Sequence, residues 1–264
     1  MHALAAEVDA ALSRFRADSD VGRLNSAAGR WVPVGRHLVT VAQAAERYRA
    51  ETGAIFDAIT GPGGSGPRLQ LRPAGDDRWE ARLDPGCSLD FGAIAKGYAA
   101  DLVRDAAQAA GVLVSLGTSS ISVGGGPPRA GGWRVALGSP WHEIDDTLGY
   151  VELTGRSFSM SGVRGHRVGT DDLVVNHVRD PRTGQPARTD LCAVAVVCDD
   201  GMRCEATSTA ALVLGLKKGM MLCRRLGVEA LFLTASGALF SSPGLAPFIA
   251  LRPGIEARLH ALRR

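Results

Sequence analysis

The sequence has no CxxC pair, no tract of like charge and no long uncharged apolar run, and each absence removes a class of function. Its five cysteines, Cys87, Cys192, Cys198, Cys204 and Cys223, are odd in number and lack the spacing of zinc sites and redox dithiols. A reduced setting is expected. The 30 Lys+Arg and 27 Asp+Glu residues leave a net charge of +3 spread along the chain, so nucleic acid is not an expected partner. No segment approaches the roughly 18 uncharged apolar residues of a membrane span. The opening MHALAAEVDAALSRF carries charges where an export signal needs an unbroken apolar stretch. Repeats of roughly 20 to 50 residues and low-complexity tails are also missing. As written, the chain reads as a soluble cytoplasmic protein, and 264 residues, 45% of them hydrophobic, suffice for a sizeable core.

What is present has two textures. In the first part, Leu4, Val8, Leu12 and Phe15 recur at helical spacing with Glu7, Asp9 and Arg14 between them, which predicts an amphipathic helix. FRADSDVGRLN follows as a polar loop, Val32 to Val34 as a short strand, and Thr40 to Thr52 as a helix stopped by Gly53. Residues 60 to 88 are rich in Gly, Pro and charge and predict a loop with a short hairpin; a further helix begins near Ile94. From about residue 112 the chain runs in short β-rich segments, VLVSLGTSSISVGG, WRVALGSP, LGYVELTG, SFSMSG, LVVNHVRDP, LCAVAVVC and EALFLTAS, with one Ala- and Leu-rich helix, Thr207 to Leu226. The mixture predicts an α+β fold with a largely antiparallel sheet and packed helices.

Four segments set glycine beside charge or hydroxyl where a plain core wants neither. In LDFGAIAKGYAAD, a strand ends at Asp90, turns through Gly92 and enters a helix carrying Lys96 early, which suits a phosphate; a common strand-to-helix turn is the plainer reading. In NHVRDPRTGQP, a strand delivers His177 and Asp180 into a turn where catalysis could sit, or Asp180 simply caps that turn. In CEATSTAALVLG, Glu205 and Thr209 lie four apart on one helix face and could share a hard cation such as magnesium, or the acid only complements the helix dipole. FRADSDVGRLN is either a capped turn or part of a site.

Read in order, FRADSDVGRLN, TGAIFDAITGP, LDFGAIAKGYAAD, VSLGTSSISVGG, SMSG, NHVRDPRTGQP and CEATSTAALVLG resemble the successive motifs of the FAD:protein FMN transferase family, called ApbE-like, from about residue 4 to about residue 250. The resemblance implies one flavin-transferase domain over residues 1–264, with FAD in a cleft, Mg²⁺ beside its pyrophosphate, and FMN transferred to a Thr or Ser hydroxyl of an acceptor protein with AMP released. Carried over residue by residue, Phe15, Ile55, Phe56, Asp57, Asp90, Lys96 and Arg179 match FAD-contacting positions. Ala93, through its carbonyl, and Glu205, Ser208 and Thr209 match the magnesium positions. His177 matches the histidine expected near the reacting hydroxyl, and His177, or Asp180 close beside it, is the expected base for the hydroxyl proton.

Some positions differ from the family pattern. The chain opens on a helix where the family usually has a strand with a Met-Gly-Thr motif. A true start upstream would restore that strand and could add an export signal, making the protein exported or membrane-associated. Glu205 stands where Asp is usual, Gly117 to Ser120 (GTSS) where two glycines and an acid are common, and Val163 where an acid is frequent. Two other activities fit the same residues: an FAD pyrophosphatase giving FMN and AMP, and a flavin-binding protein without turnover.

Overall fold

Helical spacing at the start of the chain produces α1 (His2–Leu12), which buries Val8 and Leu12. The computed structural model describes residues 2–62, 68–76, 78–128, 130–141, 147–163 and 178–261. The polar loop expected next is in part a helix, α2 (Asp20–Ser26). Ser19 caps it, its Oγ accepting from the Gly22 amide at 2.8 Å, and Val21 and Leu24 are fully buried. Then come β1 (Val32–Val34) and α3 (Arg36–Glu51), which begins four residues ahead of the expected Thr40 and ends just before Gly53.

Next in order are β2 (Ile59–Thr60), β3 (Leu69–Pro73), β4 (Trp79–Leu83), β5 (Ser88–Leu89) and α4 (Ala95–Asp105). The expected hairpin is β3–β4, with β1 on the other edge of β4, while β2 pairs with β5. The β-rich half supplies β6 (Gly111–Leu116), β7 (Ser120–Gly125), β8 (Trp133–Gly138), β9 (Thr147–Leu153), β10 (Ser157–Gly162) and β11 (Leu191–Cys198). After them come α5 (Gly201–Leu226), β12 (Glu229–Thr234), β13 (Leu239–Ser241), β14 (Ile249–Leu251) and β15 (Leu259–Ala261).

Seven strands form the main sheet in the order β15-β13-β12-β11-β10-β7-β6, antiparallel at every pairing except β13 with β15. The expected α+β class with a largely antiparallel sheet is therefore what the chain forms. One face of the sheet packs on the helices, and the other on the small sheet β14-β9-β8. That double cover explains why β11 is buried at every position: Val194 and Val196 enter the helix-side core, Ala193, Ala195 and Val197 the other.

α5 starts six residues ahead of the expected Thr207, because Asp200 caps it by accepting from the Arg203 amide at 2.9 Å. It is interrupted at Gly215 (φ 76°, ψ 176°), where Asp190 restarts the helix by accepting from the Leu216 amide at 2.9 Å. All five cysteines are buried, and no helix of the described residues is long and apolar enough to cross a membrane.

Candidate active site

Two glycines set how closely α4 and α5 approach. A Cβ on Gly97 would lie 2.2 Å from the Gly201 carbonyl oxygen, and one on Gly201 would lie 2.6 Å from that of Gly97, so the backbones meet where no side chain fits. At this crossing Glu205, only 3% exposed, reaches from α5 into the first turn of α4, and its Oε2 accepts from the Gly97 amide at 2.7 Å. Because α4 begins at Ala95, that amide is a first-turn donor with no acceptor in its own helix, and Glu205 satisfies it. The other carboxylate oxygen, Oε1, accepts from Ser120 Oγ at 2.5 Å and pairs with Lys96 Nζ at 3.2 Å. Lys96 also donates to the Gly92 carbonyl at 3.1 Å. A buried carboxylate is tolerated when it is paired and hydrogen-bonded in this way.

A hydroxyl cluster adjoins it. Ser161 Oγ lies 2.8 Å from Ser208 Oγ and 3.1 Å from Thr209 Oγ1, and Ser208 Oγ donates to the Glu205 carbonyl at 3.1 Å. The donor set of carboxylate and hydroxyls is hard oxygen throughout, which fits Mg²⁺. Among the described residues no three of His, Cys, Asp or Glu gather as a metal cluster. One carboxylate and a few hydroxyls suit an ion held by few protein ligands, as Mg²⁺ commonly is.

Sequence reading missed the serines of the sheet. Ser120 and Ser122 on β7 and Ser157, Ser159 and Ser161 on β10 alternate with Ile121, Val123, Phe158 and Met160, and the register sets Ser157 opposite Ser122 and Ser159 opposite Ser120. The five hydroxyls therefore share the face that meets α4 and α5, while Val123 and Phe158 fill the opposite core. The signal was the S-x-S-x-S alternation, legible once these runs are assigned to neighbouring strands.

The residues expected around FAD fall in three settings. Asp90 sits at the turn before α4; its Oδ1 accepts from the Gly92 amide at 2.8 Å and its Oδ2 pairs with Arg14 at 3.2 Å. Arg14 in turn lies over the ring of Phe15, 4.5 Å from its centroid, and Phe15 is 84% exposed. Asp57 accepts from the Ile59 amide at 2.9 Å and is paired with Arg49 and Arg68. With Arg68, Leu89, Phe91 and Arg182 it lines a cleft of about 620 Å³. Ile55 and Phe56 are buried in the helix-side core. Arg179 donates to the Gly184 carbonyl at 2.9 Å within the turn that the Arg179–Pro186 bridge closes.

Asp180 caps that same turn. Its carboxylate accepts from the Arg182 amide at 3.0 Å and from the Arg182 guanidinium at 2.9 and 2.7 Å. The hydrogen bond from Arg182 holds its pKa below the usual carboxylate value. His177, the expected base, lies outside the described residues.

The family model described as the ApbE family matches residues 1–65 and 66–232. The chain belongs to the ApbE family. An FAD:protein FMN transferase of Klebsiella pneumoniae (strain 342) is 31% identical over 91% of this chain and 83% of that protein. A second one from the same strain is 26% identical over 89% of this chain and 75% of that protein. Among solved structures, the apo form of the Pseudomonas stutzeri flavinyl transferase ApbE matches with a TM-score of 0.75 at 28% identity, covering 94% of this chain and 86% of that one. The ApbE protein of Thermotoga maritima has a TM-score of 0.80 at 22% identity, covering 94% and 90%, which is a likeness of fold. In this ApbE-family chain, LDFGAIAKGYAAD, VSLGTSSISVGG, SMSG and CEATSTAALVLG meet at the α4–α5 crossing.

Proposed function

We propose that the chain is a Mg²⁺-dependent FAD:protein FMN transferase, which moves FMN from FAD to a Thr or Ser hydroxyl of an acceptor protein and releases AMP. The observation that carries this reading is the insertion of Glu205 into the first turn of α4. It sets a buried carboxylate beside the Ser161–Ser208–Thr209 hydroxyls. Family membership supplies the reaction class.

The acceptor hydroxyl attacks the FMN phosphorus, the bond to the AMP oxygen breaks, and the hydroxyl proton passes to a base. Glu205, Thr209, Ser208 and the Ala93 carbonyl are the residues that would hold the ion. When bound, the ion neutralises pyrophosphate charge as the leaving group departs. Lys96, at the N-terminus of α4 beside Glu205, adds a positive charge on the same side. Phe15 and Arg14 offer an exposed stacking surface next to Asp90, and the cleft beside Asp57 and Arg182 offers guanidiniums and an apolar wall for the dinucleotide. Asp180, lowered by Arg182, accepts protons poorly at neutral pH and serves to fix Arg182. The base role therefore goes to His177.

The test is mass spectrometry of a flavin-acceptor domain incubated with the protein, FAD and Mg²⁺, with an EDTA control. A magnesium-dependent gain of one FMN is expected. Release of FMN and AMP without labelling would replace the reading by an FAD pyrophosphatase, and absence of turnover in a folded sample by a flavin-binding protein.

A further inference from the structure

We infer that Asp101 is a positioning residue for the metal seat, acting through Glu205; the inference rests on the magnesium reading above. Asp101 lies one turn beyond Gly97 on α4, and Gly201 lies one turn before Glu205 on α5. Asp101 Oδ2 accepts from the Gly201 amide at 2.6 Å, while Glu205 Oε2 accepts from the Gly97 amide at 2.7 Å. Each helix thus lends a carboxylate to an amide in the first turn of the other, a group with no acceptor of its own in its helix. The two bonds flank the contact of Gly97 with Gly201 and fix both the slide and the roll of α5 on α4.

The other oxygen of Asp101 ties this clamp to the sheet. Oδ1 accepts from Ser157 Oγ at 2.6 Å, from Ser122 Oγ in a short bond and from Arg104 Nη1 at 2.9 Å. Ser122 and Ser157 are cross-strand partners on β7 and β10, the strands that also supply Ser120 and Ser161 to the seat. Asp101 therefore references α5 to the very strands against which Glu205 must be placed. Without its charge, α5 is free to shift, and Glu205 leaves the Gly97 amide and its place in the seat. Asp101 touches no proposed ligand atom, so its effect is on geometry, in the manner of groups that orient metal ligands from behind.

Mn²⁺ serves as the probe, its binding to the full chain read by electron paramagnetic resonance of the free ion. Asp101→Asn is expected to weaken Mn²⁺ binding at least about tenfold. Ser157→Ala, which removes one donor from the same carboxylate and leaves the chain better able to fold, is expected to weaken it about threefold. Tyr48→Phe is the control: it removes the 2.7 Å bond from Tyr48 to Asp200 at the same helix start, a bond that includes no atom of the clamp or the seat, and should lower the melting temperature while leaving Mn²⁺ affinity unchanged. Wild-type affinity in a folded Asp101→Asn, or in Ser157→Ala should Asp101→Asn not fold, overturns the inference, as does an equal loss in Tyr48→Phe. Failure of the wild type to bind Mn²⁺, or undiminished binding in Glu205→Gln, overturns the magnesium reading itself and the inference with it.

Discussion

At the scale of single residues, the site separates groups that carry charge to a ligand from groups that only hold a turn. Glu205 is of the first kind. Glu205→Gln keeps an oxygen for the Gly97 amide but removes the charge a cation needs, so transfer should fall at least about 100-fold with little loss of fold, since one replaced charged hydrogen bond is worth only about 1.5–3 kcal/mol. Assays of FMN transfer beside thermal melts check both halves, and retained activity would return Glu205 to a purely structural cap. Lys96, its side chain 42% exposed, should matter for binding: Lys96→Met is expected to weaken FAD about tenfold by fluorescence titration, the loss of one charge-assisted contact. Asp180 is of the second kind. Its folded pKa is depressed, so its contribution to stability is fully present above the ordinary carboxylate pKa and is lost only as pH falls through the lowered value. Asp180 itself, held below the usual carboxylate value, does not titrate between about pH 5 and 8, the range in which histidine does. The pH–rate profile of Asp180→Asn should therefore keep the shape of the wild type, and that of His177→Asn should lose its acidic limb. A flattened profile in Asp180→Asn would reverse the two roles.

At the scale of elements, the close crossing of α4 and α5 is the feature on which the seat depends, and it tolerates no methyl group. Gly97→Ala places a Cβ against the Gly201 carbonyl and should cost about 1–3 kcal/mol through overpacking. It should also abolish transfer out of proportion to that cost, because Glu205 is carried off with α5. Chemical denaturation and activity assays on the same preparation decide this, and a stable, active variant would show that the helices can separate without harm. This crossing explains what was legible in the sequence. The segments LDFGAIAKGYAAD and CEATSTAALVLG could be picked out, and the positions they supply do meet. That Glu205 caps a foreign helix could not be read, because it depends on two glycines 104 positions apart in the chain lying back to back. Local signals were missed where short or displaced: Ser19 caps α2, but the helix is only seven residues long, and Asp200 starts α5 ahead of its apolar run. The roles of the serines of β7 and β10 were not legible, because a hydroxyl shows its role only once strand pairing sets its face. The broad α+β pattern needed no such knowledge, since period and composition suffice for it.

At the scale of the whole molecule, the seat is assembled from four elements distant in the chain: the turn before α4, β7, β10 and α5. The Gly97–Glu205 bond spans 108 positions and the Ser120–Glu205 bond 85. An unfolded chain cannot present these groups together, so an ion bound there is bound by the native state alone and adds its binding free energy to global stability. At Mg²⁺ concentrations about a hundred times the dissociation constant the gain is about 2.7 kcal/mol. For a chain of this size, each kcal/mol raises the melting temperature by about 2–4 °C, so a shift of about 5–10 °C is expected in calorimetry, reversed by EDTA and missing in Glu205→Gln. The same scan distinguishes a site of the fold from a site of one loop. A local seat would bind to partly unfolded chains as well, and its melting temperature would stay put at saturating Mg²⁺. Such a result would mean that the meeting of α4, α5 and the sheet serves packing alone, and that the ion is held elsewhere.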